Sequence, residues 1–376
     1  MLLTPSVSPL AGIVRLSVQA FRSYDSYTLS LTNPVSVALI GPNGVGKTNI
    51  LEAVSLLTAG RGLRRAGSSL IQKISSETPW AISATFETKV GPLHVRTGRL
   101  DLISERRTSQ VEGMPLKTQK ALSGYVHALW LTPAMDGLFR DGETARRRFL
   151  DRLVLGQFAH HGLHVLRYEK ALTERAKLFE TPGAPPQWFE ALEESLCEEG
   201  VQITQNRLHF LERLSVLLEK TEGPFPSATL ALEGDLEHQI RAHGPDQARS
   251  WARATLRTHR TTYPLRSRAL IGPHTSKLQG FFEGTLPAEQ CSTGQQKMLL
   301  ISLILAACKL QTQHLSGDFP ITLLLLDDLP AHLDLFHRQA LFETLDRLPL
   351  QVWLSSTDAY LLKGFDAQPF VLKTGA

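Results

Sequence analysis

Cysteine is scarce in this chain of 376 residues: there are three, Cys197, Cys291 and Cys308, odd in number and widely spaced. That excludes a disulfide framework and any paired-cysteine zinc site, and it suits a reducing cytosol. Long hydrophobic runs are missing as well. The longest nearly apolar stretch, Met298 to Cys308, is interrupted by Ser302 and falls well short of the ~18 residues that a membrane span needs. The first residues, MLLTPSVSPLAG, carry two prolines and no basic segment, so no secretory leader is expected there. Neither sign of charge dominates: 40 Lys+Arg against 36 Asp+Glu leave +4, with an isoelectric point near 9.0. Such a balance permits an anionic partner without requiring one. Internal repeats, low-complexity tracts, zinc-finger spacings, a helix-turn-helix pattern and aromatic platforms for single strands are absent too. What is present is enough apolar material for a sizeable core, 42% hydrophobic against 20% charged. Wholesale disorder is excluded, and the length predicts two or three structural units.

Hydrophobic spacing organises the chain. Ile13 to Gln19 alternates and reads as an edge strand, with a polar turn at Phe21–Tyr24. Ser36 to Ile40 is a short apolar run ending in Gly-Pro, a buried strand entering a loop, and Thr48 to Ala59 has helical spacing. Residues 80–125 hold short alternating runs that predict an antiparallel sheet. From Ala145 to about Lys220 the pattern is helical, broken around Thr181 to Pro186. Within Trp188 to Glu222 the residues Phe189, Leu196, Ile203, Phe210 and Leu217 recur at steps of seven, beside a partly polar seam of Glu199, Asn206 and Arg213. This predicts a helical hairpin arm projecting from a compact head; the alternative is an ordinary helix packed on a core. Strands return at Ala228 to Leu232, followed by an arginine-rich helix and a sheet-like stretch from Tyr263 to Phe282. An apolar helix (Lys297 to Leu310), a hydrophobic strand (Ile321 to Leu326), a helix (Asp334 to Leu345) and a final strand (Gln351 to Leu354) follow.

Gly41, Pro42, Asn43, Gly44, Val45, Gly46, Lys47 and Thr48 fit G-x-x-x-x-G-K-[ST] between that buried strand and the helix after it. Glycines let backbone N–H groups wrap phosphates, and the helix N-terminus adds positive dipole. Lys47 is suited to the β- and γ-phosphates and the Thr48 hydroxyl to Mg²⁺; the alternative is a glycine-rich turn holding a lysine by chance. Such a loop needs an acidic partner. The strand Leu323 to Leu326 delivers Asp327 and Asp328 at its tip, 279 residues after Thr48. Asp327 is read as holding Mg²⁺ and Asp328 as orienting or deprotonating the attacking water; alternatively both cap the next turn. Ser292 to Gln296 (STGQQ) precedes the apolar helix and offers a second anion-binding helix start. Two such starts point to a site shared between two protomers, or, taken alone, this one is an N-capped buried helix.

In this order, GPNGVGKTN, STGQQK and LLLLDDLPAHLD resemble an ABC-type ATPase head of the SMC/Rad50 kind. More specifically, the chain is similar to the RecF family of bacterial recombination mediators. Phe21 to Tyr24, Thr48 to Ala53, Arg61 to Arg65, Arg146 to Asp151 (RRRFLD) and Ile271 to His274 carry the resemblance between those motifs. It implies an α/β fold: an ABC-type P-loop ATPase head, a mixed sheet with flanking helices, interrupted by an all-helical arm lobe. The head would comprise residues 1–135 and 225–376, and the arm residues 136–224. The resemblance further implies a weak, DNA-stimulated ATPase in the cytoplasm that binds ATP and Mg²⁺ and dimerises on ATP. Such a protein binds DNA and acts with RecR and RecO to help RecA load at single-strand gaps. Ser292, Gly294 and Gln295 would contact the γ-phosphate of ATP held by the other protomer. Asp334 would lie at the dimer seam, Arg22 near the base or ribose, Asn49 beside the loop, and Thr357 at the switch position. The chain departs from the family pattern in three places. Thr275-Ser276-Lys277 follows Gly-Pro-His, no glutamine occurs between Trp130 and Asp136, and Ala331-His332 occupies the D-loop. No Q-loop ligand is assigned. Two other assignments fit a phosphate loop: a transporter ATPase subunit, against which the central helical insertion argues, and a nucleotide-binding module that does not turn over.

DNA contact would need local basic patches. Arg249, Arg253, Arg257 and Arg260 fall on one helical face, with Arg266 and Arg268 nearby. Arg61, Arg64 and Arg65 form a second cluster and Arg146 to Arg148 a third. Each is suited to sequence-independent phosphate contact, or is a solvated or ion-paired helix face.

Overall fold

The computed structural model describes residues 11–219, 223–262, 269–313 and 320–373. Residues 1–10, Arg266, Arg268 and the start of the stretch from Tyr263 lie outside them. Along the chain, β1 (Gly12–Phe21) and β2 (Tyr24–Ser30) form a hairpin. β3 (Val37–Ile40) feeds the phosphate loop and α1 (Lys47–Leu56) leaves it. A single helical turn, α2 (Ser68–Ile71), precedes the antiparallel run β4 (Ala81–Thr88), β5 (Gly91–Arg99), β6 (Arg107–Val111) and β7 (Met114–Pro115). After β8 (Val126–Leu131) come the helices α3 (Glu143–Leu155), α4 (His161–Phe179) and α5 (Pro186–Glu219). Next are β9 (Ala228–Glu233), α6 (Asp235–His243), α7 (Pro245–Thr262), β10 (Lys277–Phe282) and β11 (Leu286–Pro287). The last elements are α8 (Thr293–Thr312), β12 (Ile321–Leu326), α9 (Leu335–Asp346), β13 (Gln351–Ser356) and β14 (Gln368–Val371). They form two compact units: Met1–Asp136 with Glu222–Phe225 and Leu300–Ala376, and Gly137–Thr221 with Pro226–Leu299.

The first unit holds an antiparallel sheet in the order β2-β1-β4-β5-β6-β7 and a parallel one in the order β14-β3-β13-β12-β8. β1 is therefore an interior strand, paired with β2 on one side and β4 on the other. Alternation shows that one face is buried and does not show how many neighbours a strand has. All six residues of β12 and of β13 are buried, as expected of a parallel strand covered on both faces. One hydrophobic cluster, including Ile13, Phe21, Leu51, Trp80, Leu325 and Trp353, joins both sheets to α1. Gln351 stitches the sheets at a β1 bulge. Its amide accepts from Ile13 N at 2.8 Å and donates to Ile13 O at 2.9 Å and Val35 O at 2.8 Å. A fully buried amide left without such partners costs about 1–3 kcal/mol per group. Because the second sheet is parallel, its strands end at one edge: Ile40 pairs with Ser356, and Leu326 with Leu354 and Leu131. Ligands of such sheets gather at the carboxyl ends of the strands. That edge receives the phosphate loop, Asp327, the turn after β8 and Thr357.

The second unit packs α3, α4 and α5 with α6, α7 and the three-stranded sheet β11-β10-β9. In α5, Phe189, Leu196, Ile203 and Phe210 are buried, and Leu196 and Ile203 enter a cluster that also takes in Leu236, Ala248, Leu256 and Ile271. The polar seam beside them faces polar partners. Glu199 receives His164 at 2.6 Å and Arg167 at 3.3 Å, and Arg213 donates to Gln157 at 2.7 Å. Arg207 grips Asp151 bidentately at 2.8 and 2.9 Å and Pro273 O at 2.8 Å, while His161 meets Asp151 at 2.9 Å.

Burial alone would raise the Asp151 pKa, but Arg207 and His161 hold the carboxyl well below the usual range. A depressed carboxylate stabilises the fold above its unfolded pKa, and the contribution is lost as pH falls through the folded one. Asp151→Asn is thus expected to lower stability by about 3 kcal/mol at pH 7. In urea titrations its deficit against the parent should shrink as pH drops below ~4. A deficit independent of pH would show that the charge is not what Arg207 needs.

Candidate nucleotide-binding site

The phosphate loop curls tightly at Gly46, which sits at φ +106° and ends against Tyr24: an added Cβ would lie 2.4 Å from the phenol oxygen. Only glycine fits that approach. Tyr24 donates to Val45 O at 3.4 Å, and burial pushes its phenol pKa up to about 12. Lys47 is buried at 6% exposure and folds back along the loop, donating to Gly41 O at 2.6 Å and Pro42 O at 2.9 Å. Burial lowers the Lys47 pKa, and the nearby Asp328 and Asp327 act against that shift.

Thr48 Oγ1 donates to both carboxylate oxygens of Asp327, each at 3.0 Å. Two residues far apart in sequence are thereby joined at the start of α1 and the end of β12. Ser355, from β13, donates to Asp327 Oδ1 at 2.7 Å and accepts from Asp328 N at 2.8 Å. It fixes both acidic residues, and sequence reading missed it because a serine inside a hydrophobic strand carries no motif. Asp328 adopts φ +51°, and its buried Oδ1 has no hydrogen-bond partner among the described residues. A buried carboxylate oxygen left bare is costly unless a ligand or water meets it. The Thr48 hydroxyl and Asp327 carboxylate are hard oxygen donors. That set suits Mg²⁺, which takes one or two protein carboxylates and completes its shell with water and phosphate oxygens. Among the described residues, no group of three or more His, Cys, Asp or Glu side chains could hold a metal alone.

Asn43, Gly44, Gly46, Lys47, Thr48 and Asn49 line one cleft together with Asp327, Asp328, Pro133 and Arg64. Pro133 comes from the turn after β8, where the sequence offered no glutamine. Arg64 was read from sequence as a DNA contact; here it borders the cleft, donating to Asn49 Oδ1 at 2.7 Å and Glu52 Oε2 at 3.2 Å. Glu52, 1% exposed, is the hub of this corner. It also accepts Arg22 bidentately, at 2.8 and 2.6 Å, while Arg22 reaches Leu70 O at 2.6 Å. Arg22 does not line the cleft; its guanidinium is committed to Glu52. Thr357 follows β13 at the same sheet edge and is not a lining residue either.

The remaining predicted residues lie elsewhere. Ser292 and Gln295 cap α8 reciprocally: Ser292 N donates to Gln295 Oε1 at 2.9 Å, and Gln295 N to Ser292 Oγ at 3.3 Å. This is a capping box, with Ser292 and Gly294 exposed. Asp334 caps α9, accepting from His337 N at 2.9 Å and meeting the His337 ring at 2.8 Å. These bonds lower its pKa. His332 is exposed at the turn before it. On α7, Arg253 pairs with Glu194, Arg260 with Glu190 at 3.8 Å and Glu193 at 3.6 Å, and Arg249 with Asp246 at 3.5 Å. Arg257 is exposed, as are Arg61 and Arg65. The loop after His274 is anchored: Ser276 bonds Glu237, and His274 meets the Tyr168 hydroxyl at 2.6 Å. No helix among the described residues is long and apolar enough to cross a membrane.

The family model described as the RecF/RecN/SMC N-terminal domain matches residues 12–374. The DNA replication and repair protein RecF of Brucella suis biovar 1 (strain 1330) is 40% identical over 370 residues, covering 97% of this chain and 95% of that protein. RecF of Rhizobium rhizogenes (strain K84) is 39% identical over 370 residues, 96% of this chain and 97% of its own. Among solved structures, the recombination mediator protein RecF-ATPrS in the RecFOR pathway superposes with a TM-score of 0.83 at 21% identity, over 99% of this chain and 98% of that one. The RecF-ATP structure gives 0.83 at 20% identity over 100% and 99%. The fold is therefore the mixed α/β fold of an ABC-type ATPase head. Agreement in sequence along nearly the whole length, and in fold over all of it, places this chain in the RecF family of the RecF/RecN/SMC proteins.

Proposed function

We propose that this chain is an ATP-dependent DNA-binding protein of recombinational repair and replication-gap processing, in which ATP joins two copies and weak hydrolysis releases them. The observation that carries the reading is the meeting of Thr48 and Asp327 at 3.0 Å beside Lys47 and an orphaned Asp328 oxygen. That constellation accepts a triphosphate and its metal, and membership of the RecF family supplies the biological setting. Lys47 and the loop N–H groups take the β- and γ-phosphates. Thr48 and Asp327 hold Mg²⁺, which would neutralise phosphate charge. Asp328 takes a proton from water as the water oxygen bonds to the γ-phosphorus. The bond to the β–γ bridging oxygen breaks, and ADP and phosphate leave.

Ser292 and Gly294, exposed at a helix start, and the half-buried Gln295 are assigned to the γ-phosphate of ATP bound by the second copy, and Asp334 to the seam between copies. Arg22 acts through Glu52, beside Arg64, at the nucleoside end. Thr357 is the switch position. Residues 136–224 are assigned to the arm lobe between the head halves 1–135 and 225–376, and the compact unit that holds its helices also takes in residues 226–299. DNA is held through phosphates. Arg61, Arg65 and Arg257 are exposed, and Arg249, Arg253 and Arg260 pair with carboxylates that phosphate would displace. RecR, and RecO through it, are the protein partners, RecA is loaded at single-strand gaps, and three buried, unbridged thiols fit the cytoplasm.

Solution mass tests the reading. The expected result is a monomer without nucleotide or with ADP, and a dimer with ATP-Mg²⁺ that gapped DNA tightens. A monomer under every condition would remove the shared-site mechanism.

A further inference from the structure

The run Arg146 to Asp151, which the nucleotide cleft leaves unused, lies within α3 and sends its side chains to different parts of the second unit. Asp151 holds Arg207, and Arg147 donates to Ser276 O at 2.8 Å. Arg146 turns instead to the segment that leads into Ser292. Its Nη1 donates to the Glu289 carboxylate at 2.6 Å and to Phe139 O at 2.7 Å, while Glu143 pairs with its other edge. Arg140 adds a bond to Cys291 O at 3.3 Å. From the other flank Gln296, fully buried in the first turn of α8, donates to Ala288 O at 2.8 Å and Cys291 O at 3.2 Å. The segment Ala288–Cys291 is thus held by charge from α3 and by an amide from α8, directly before the exposed capping box of Ser292.

The two ends of the Arg146–Glu289 pair are unequal. Arg146 is 9% exposed and keeps Glu143 and the Phe139 carbonyl whether or not Glu289 is present, so its guanidinium is fixed. Glu289 is 54% exposed, and Arg146 is the partner the structure gives its carboxylate. The helix is the anchored end and the loop the guided end. We infer that Arg146 is a positioning residue of the nucleotide reaction. Through Glu289 it sets where Ser292 and Gln295 stand, and so how well this chain meets ATP held by a second copy. The inference rests on the two-copy reading proposed above.

The test uses the full chain as parent, Glu289→Ala and Glu289→Gln, in sedimentation velocity over a concentration series with ATP-Mg²⁺. A fluorescent ATP analogue is titrated in parallel at concentrations where the chain is monomeric. Glu289 is exposed, so its variants keep the buried Arg146 paired and folded. Glu289→Ala should weaken ATP-driven association about tenfold. Glu289→Gln, whose amide oxygen still accepts from Arg146, should fall between it and the parent. Single-chain affinity for the analogue should not change. Association of Glu289→Ala equal to the parent's overturns the inference. So does an equal loss of single-chain nucleotide affinity, which would mark a merely structural lesion. A parent that stays monomeric in ATP overturns the two-copy reading and this inference with it, so the two failures are distinct.

Discussion

Lys47→Ala is expected to bring nucleotide binding down by at least about a hundredfold, the loss of a charge-assisted phosphate contact in a site poor in other cations. The physics begins with what Lys47 does in the loop. Its ammonium is buried and already holds the carbonyls of Gly41 and Pro42, so it is preorganised where phosphate oxygens arrive. Asp327 and Asp328 lie close enough to counter the burial shift of its pKa. Remove the ammonium, and a highly negative triphosphate must approach two carboxylates with no fixed positive charge from the loop lysine between them. Backbone N–H groups and the α1 dipole remain, and they are worth less than a full charge. The fold should tolerate the change, because α1 stays tied to β12 through Thr48 and Asp327. Calorimetric titration with ATP-Mg²⁺, set beside a thermal melt, separates the two effects. Affinity within threefold of the parent's would mean that this lysine serves the loop and not the ligand.

The phosphate loop and the Asp327–Asp328 pair were legible because their chemistry is local. Glycine at a tight approach, a lysine, a hydroxyl and a strand-tip carboxylate match the phosphate-loop pattern in that order, and the structure joins Thr48 to Asp327. The parallel strands were legible for a similar reason, since continuous apolar runs have few other solutions. Edge elements were harder. β2 reads YDSYTLS and β14 reads QPFV, too polar or too short for periodicity to separate them from loops. Glu52 and Ser355 were invisible as functional residues. Each matters through partners brought from distant parts of the chain, Arg22 and Arg64 in one case and Asp327 and Asp328 in the other. The arginine stripe on α7 shows the opposite limit. Its spacing along one helix was readable, whereas the carboxylates of α5 that meet Arg253 and Arg260 depend on which helix packs beside it. Asp334 could have been read as a cap from Asp-x-x-His alone, since its side chain has a local backbone N–H to accept from.

Asp328→Asn isolates chemistry from binding more cleanly than any other single change in the cleft. Asp328 sits at φ +51°, a left-handed backbone that asparagine adopts at least as readily as aspartate. Its N–H bond to Ser355 is a main-chain interaction that survives the substitution. The side-chain shape is kept, and only the charge and the capacity to take a proton are lost. Binding should hold or tighten modestly, because one negative charge is withdrawn from beside the triphosphate. Hydrolysis should fall by roughly 10²–10⁴-fold, the range for loss of a general base. With turnover blocked and binding intact, ATP should keep two copies together for far longer than in the parent. Single-turnover phosphate release and solution mass in ATP-Mg²⁺, followed over the same hours, read both consequences. Slow release with a persistent dimer assigns the proton to Asp328. Release at the parent rate moves the base elsewhere, and slow release without a dimer would separate hydrolysis from association altogether.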